Sequence, residues 1–86
     1  MKKLEKTLKA LANRRRLMIL QYLKRQSTAS VADIAHEINL SFRATSKHLA
    51  VLSAIDILDK EQIGPQVFYR IAPTRDLAVK QTLSLL

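Results

Sequence analysis

Arg43, Ser46 and Lys47 are the residues of this 86-residue chain best suited to chemistry on a partner. At about 100° per residue on a helix, Phe42, Arg43, Ser46, Lys47 and Ala50 share one arc. Ala44, Thr45, His48, Leu49, Val51, Leu52 and Ile55 share the other. The second arc can pack on a core. The first offers a guanidinium, a hydroxyl, an ammonium and the apolar surface of Phe42, which are the groups that read base edges in the DNA major groove. A merely solvated face interleaves acids, and the nearest acid on this helix is Asp56, at its far end. Phe42 has two open readings: a staple tucked against the core, or contact with a thymine methyl.

Affinity for a duplex comes largely from phosphate contacts, which hold every sequence alike. The candidates are Arg14, Arg15, Ser41, Lys60, Gln66 and Arg70. Arg14, Arg15 and Arg16 cluster at the mouth of a helix, where backbone N–H groups also attract anions. Cations there oppose the helix dipole, so an anionic partner fits them. The alternative is that Arg16 bonds within the protein and only the other two are exposed. His48 falls in the buried arc and reads as a structural histidine hydrogen-bonded in the core. His36 falls beside Asp33 and Glu37 on a polar face and reads as solvated.

The composition agrees with a nucleic-acid partner. Fifteen Lys and Arg against seven Asp and Glu give a formal charge of +8, which favours a polyanion. The apolar fraction of 48% supports one small folded domain spanning residues 1–86. There is no cysteine, which excludes disulfides, thiolate metal sites and a thiol nucleophile. No apolar run approaches the ~18 residues of a membrane span. The basic N-terminus lacks the uncharged apolar region of a secretory signal, so the expected place is the cytoplasm, at the nucleoid. No paired-carboxylate cleft, Gly-rich phosphate loop or nucleophile–base spacing supports catalysis.

Five helices and a hairpin must position these side chains. The first helix runs from about Lys3 to Ala12, with Leu4, Leu8 and Leu11 in one narrow arc. Asn13 caps a second helix reaching about Arg25. That helix is apolar on two sides, through Ile19, Leu20 and Leu23 and through Met18 and Tyr22, so it is sandwiched between partners. Gln26 to Ala29 reads as a loop. Ser30 caps a third helix, with Asp33 as a capping-box variant, whose core face is Val31, Ile34, Ala35 and Ile38. Asn39 suits the left-handed conformation that ends it. Ser41 caps the fourth helix, Phe42 to about Ile55, and Asp56 ends it under some strain. Residues 57–71 alternate as a two-stranded hairpin turning at Ile63-Gly64-Pro65. Pro73 and Thr74 start the last helix, on which Val79, Leu83 and Leu86 share a face. The expected fold is mainly α with a small β-hairpin, a winged helix-turn-helix. Leu4, Leu8, Leu11, Val79, Leu83 and Leu86 are too many for so small a core to cover, which points to a homodimer seam.

Taken together, these segments resemble the arsenic-repressor (ArsR) family of regulators. The opening LKALANRRRLMILQYL is similar to that family's at Leu11, Ala12, Arg16, Leu17, Ile19 and Leu20. The segment LSFRATSKHLAVL looks like its recognition helix at Ser46, His48, Leu49 and Leu52, and QVFYRI like its second wing strand. The resemblance covers about Leu8 to Ile71. It implies a homodimeric DNA-binding transcriptional repressor, with the dimer built largely from the first and last helices. Many members lose DNA affinity on binding a metal ion. Here the sequence departs from the family. Ser30 and Ala32 stand where the third helix would carry cysteines, and the last helix offers Asp76 and no histidine. The expectation is therefore no metal and no cofactor, with the effector unassigned. Asp56 replaces a customary glycine, and Asp59, Lys60 and Glu61 make the wing less basic than usual. Two other functions stay open: a winged-helix module binding a protein or RNA, and a nonspecific architectural DNA-binding protein.

Overall fold

In the computed structural model of the chain, side-chain caps open α2, α3 and α4 where the sequence places them. The first helix, α1 (Lys2–Leu11), leads through Asn13 into α2 (Arg14–Gln26). The Asn13 side chain accepts the Arg16 backbone N–H at 3.1 Å. Ser30 Oγ accepts the Asp33 N–H, also at 3.1 Å, and opens α3 (Val31–Glu37). Ser41 Oγ accepts the Ala44 N–H at 3.1 Å and opens α4 (Phe42–Ala54). Each such cap contributes about 1 kcal/mol.

Just past the ends of α2, α3 and α4 stand three residues with positive φ: Ser27 at 71°, Asn39 at 53° and Asp56 at 62°. Asn and Asp tolerate this region better than most residues, because their short polar side chains bond locally.

Residues 57–71 form the expected hairpin, β2 (Leu58–Ile63) and β3 (Gln66–Ile71), in register from Leu58 opposite Ile71 to Ile63 opposite Gln66. Gly64 has φ +61° and Pro65 follows it, a pairing that suits a two-residue hairpin turn opening on glycine. The hairpin is not alone, which corrects the two-stranded expectation. Ala29 and Ser30, read as the end of a loop and a cap, make a short strand β1 that pairs with Tyr69 and Phe68. The sheet order is β1-β3-β2. Ser30 thus ends a strand and caps α3 at once, which fixes the wing to the helix-turn-helix.

The last helix also differs. Pro73 and Thr74 precede it, Asp76 is its cap through the Val79 N–H at 3.2 Å, and α5 runs Leu77–Ser84. The Thr74 hydroxyl accepts the Asp76 N–H at 3.0 Å and ends the preceding turn, so helical geometry starts later than the proline suggests.

One core joins these elements. Ile19, Leu20, Leu23, Ile34, Ile38, Leu49, Leu52 and Ile57 are almost fully buried, each worth about 1.5–3 kcal/mol of transfer free energy. The two-sided α2 lies at the centre and packs on α1, α3, α4, α5 and β3 of its own chain. No helix is long and apolar enough to cross a membrane.

Candidate nucleic-acid interface

The buried side of α4 is Thr45, Leu49 and Leu52, each 0% exposed. Opposite them, Arg43, Lys47 and Ala50 are exposed, and Phe42 is 60% exposed at the helix start. Neither Arg43 nor Lys47 makes a hydrogen bond or ion pair within the chain. They stand one turn apart as free cations. Ser46 is half-buried, closer to the flank than the sequence suggested. The buried arc is narrower than expected. Val51, placed on it, is 40% exposed, because the core centres on Leu49 and Leu52 and leaves Val51 well to one side.

Phe42 neither enters the core nor stands clear of the protein. It lines a cleft with Ser30, Val31 and Ala32 of the α3 entry and Pro65, Gln66 and Val67 of the wing. One side of the ring rests over this cleft while most of it faces solvent.

The arginine cluster divides into three roles. Arg14 is exposed and makes no bond within the chain. Arg15 Nη1 donates to the carbonyls of Ile38 at 2.9 Å and Asn39 at 3.1 Å. That closes the C-terminal end of α3 and the turn into α4, so Arg15 is a brace there, with only Nη1 engaged and the side chain half-buried. Arg16 donates to the carbonyls of Ala10 and Lys9 at the end of α1, and to His48 Nδ1 at 3.2 Å. A guanidinium in the first turn of α2 opposes that helix's dipole, but here it meets the negative end of a neighbouring helix, which offsets the cost.

His48 is half-buried at the α2–α4 contact rather than deep in the core. Its pKa lies below the usual histidine value, first because burial disfavours the charged ring, then because Arg16 and Arg15 repel it. The Tyr69 hydroxyl is pushed up from its ordinary value by burial in the sheet.

On the wing, Lys60 and Gln66 are exposed. Arg70 Nη1 lies 3.7 Å from Glu61 across the ladder, both well exposed. A pair of that kind contributes little, and a phosphate can compete for the arginine. Ser41 accepts the cap bond described above and keeps its hydroxyl proton free to donate outward.

The apolar face expected between subunits is only partly at the surface. Leu11 and Val79 are 4% and 3% exposed and belong to the core of one chain, which corrects their assignment to the seam. α1 packs on α5 within the protomer and covers them. Leu83 and Leu86 are half-buried against the same core. Lys24 Nζ closes the end of α5 by donating to the Leu83 carbonyl at 2.7 Å. Leu4 and Leu8 remain exposed and line a groove along α1 with Met1 and Ala12. Leu77 and Leu85 at the two ends of α5, which periodicity did not single out, are also exposed.

The positions that the resemblance would assign to metal sensing do not fit a metal. Ser30 Oγ is occupied as a helix cap and Ala32 has no donor. The Asp76 carboxylate caps α5. No three His, Cys, Asp or Glu side chains converge anywhere.

Residues 13–60 match the family of bacterial regulatory proteins named for arsR. The chain is also 37% identical to the transcriptional activator HlyU of Vibrio cholerae, over 92% of this chain and 69% of that protein. It belongs to the arsR family. The fold is that family's winged helix-turn-helix, and the chain is a transcriptional regulator. The structure of reduced HlyU superposes with a TM-score of 0.82 at 34% identity, covering 98% of this chain and 84% of that one. The nodulation protein NolR of Rhizobium meliloti is 32% identical over 90% of this arsR-family chain, which spans 62% of NolR's length. A homodimeric winged helix-turn-helix DNA-binding domain from Mycobacterium bovis gives a TM-score of 0.81 at 30% identity, covering 98% of this chain and 74% of that one.

Proposed function

We propose that the protein is a homodimeric, sequence-specific repressor that reads double-stranded DNA through α4. The observation that carries this is the division of α4: Thr45, Leu49 and Leu52 fully buried, and Arg43 and Lys47 opposite them, exposed and unpaired. A helix held so firmly on one side presents its other side in a fixed orientation, as base reading requires.

Arg43, Ser46 and Lys47, with Phe42 at the leading end, meet base edges. Arg14, Ser41, Lys60, Gln66 and Arg70 contact phosphates, and Arg15 holds the turn between α3 and α4. The subunits join through the exposed strip of α1, Leu4 and Leu8, together with Leu83 of α5 and Leu86 just past its end. The protein binds rather than catalyses, needs no cofactor, and works on the nucleoid in the cytoplasm.

Selection of binding sites from random duplex DNA tests this reading. The expected result is an inverted repeat whose half-sites lie about one helical turn, or a multiple of it, apart. Uniform recovery of all sequences would favour an architectural role, and no recovery would favour a protein-binding module.

A further inference from the structure

One side chain spans three helices. Arg16, in the first turn of α2, donates Nε to the Ala10 carbonyl and Nη2 to the Lys9 carbonyl at 3.2 Å, both at the end of α1. Its Nη1 lies 3.2 Å from His48 Nδ1 on α4. A guanidinium has five donors and no acceptor. Nδ1 must therefore be the acceptor, the imidazole is neutral, and its proton sits on Nε2.

His48 directly follows Lys47 and lies five residues after Arg43. On its buried face α4 is held by the apolar packing of Leu49 and Leu52 and by Thr45, whose buried hydroxyl has no partner. Such packing seats α4 on the core, and Arg15 braces the turn that leads into it. The Arg16 bond is directional, and it ties α4 to the helix whose outer strip, Met1, Leu4 and Leu8, stays exposed.

We propose that Arg16 and neutral His48 couple α1 to the reading helix, so that Arg16 acts as a positioning residue for sequence recognition. The proposal rests on the reading of α4 as the DNA-reading element and of α1 as part of the dimer seam. In a dimer, α1 fixes the relation between subunits, and Arg16 passes that geometry to α4. Arg16 touches no DNA in this role.

The coupling carries a condition on protonation. The charges acting on His48 are Arg16 and Arg15 of α2. No acid offsets them from the other elements packed on α4, neither Asp33 and Glu37 with His36 on α3, nor Asp59 and Glu61 with Lys60 on β2. A proton on Nδ1 removes the acceptor and sets an imidazolium against two guanidiniums. Simple attraction of a more cationic protein to DNA acts in the opposite direction, which makes the sign of the pH effect diagnostic.

The test uses the full chain, its selected inverted repeat and a random duplex, with binding measured by anisotropy from pH 8 to pH 5.5. In His48→Asn, Oδ1 stands near the position of Nδ1 and does not titrate. At pH 8 this variant binds the selected site as the wild type does. As pH falls toward 5.5, the wild type loses severalfold on that site, held below tenfold because the folded pKa already lies under 6.5, while His48→Asn stays flat. His48→Leu at pH 8 loses a similar factor on the selected site and little on random DNA. His36→Asn, a change at the other histidine, keeps the wild-type profile. The proposal is overturned if His48→Leu binds the selected site as tightly as wild type, or if wild type and His48→Asn share one pH profile. Should His48→Leu fail to fold, the His48→Asn comparison decides alone. A wild type that selects no site removes the reading of α4, and the coupling with it.

Discussion

Arg15 Nη1 lies 2.9 Å from the carbonyl oxygen of Ile38, and this contact sets what the first turn of α2 does. The arginine reaches across to the end of α3 and also holds the Asn39 carbonyl, where the chain turns with φ 53° into α4. Arg14 beside it is free.

Two neighbouring substitutions therefore have different consequences. Arg15→Ala removes two charge-assisted bonds and lowers unfolding free energy by about 1–2 kcal/mol, seen as a lower denaturant midpoint at unchanged slope. It weakens the selected site more than random DNA, because the turn into α4 loosens. Arg14→Ala leaves stability within about 0.5 kcal/mol. It weakens both DNAs equally and lowers the salt slope by about 0.9, as expected for one phosphate no longer neutralised. Equal behaviour of the two variants would contradict the division of roles.

The apolar residues of α1 and α5 divide in the same way. Leu8→Glu yields a folded monomer, visible by sedimentation and by unchanged far-UV dichroism. Leu11→Ala instead costs about 2–5 kcal/mol of stability, because it opens a cavity inside one chain. A monomeric wild type at micromolar concentration would remove the seam.

His48 makes stability depend on pH. Its folded pKa is below the ordinary histidine value of 6.5, so the unfolded chain binds more protons in the interval between the two values. The contribution is fully present above about 6.5 and is lost as pH falls through the lowered folded value. Unfolding free energy measured between pH 7.5 and pH 5 should decline in the wild type, and decline less in His48→Asn. Equal declines would show that His48 does not carry the dependence.

Zinc, cadmium, arsenite and nickel at micromolar levels should leave DNA affinity unchanged. Ser30 and Asp76 are helix caps and Ala32 offers no donor. A saturable, stoichiometric shift of affinity with any of these would mean that the protein holds a ligand set elsewhere.

Much of this architecture is legible in the residues. Asn13, Ser30 and Ser41 announce three helix starts, since their side chains satisfy N–H groups that no other partner reaches. Asn39 and Asp56 mark helix ends through their tolerance of the left-handed region. The separation of Arg43 and Lys47 from Leu49 and Leu52 follows from helical periodicity alone. What is not legible depends on long-range contacts. Strand β1 is two residues long and exists because Tyr69 and Phe68 lie alongside it. Arg15 and Arg16 look alike in sequence, yet bond to carbonyls 23 or 24 residues later and 6 or 7 residues earlier. Leu11 and Val79 carry the same periodicity as Leu8 and Leu83. Only the packing of α1 on α5 decides which of them water can reach.

The most direct measurement is the affinity of Arg43→Ala for the selected inverted repeat and for random duplex DNA, under one salt condition. Reading by α4 predicts a loss of about 1–3 kcal/mol on the selected site, a smaller loss on random DNA, and relaxed preference at one or two base pairs. An equal loss on both would show that Arg43 contacts only the backbone and that α4 does not read the sequence.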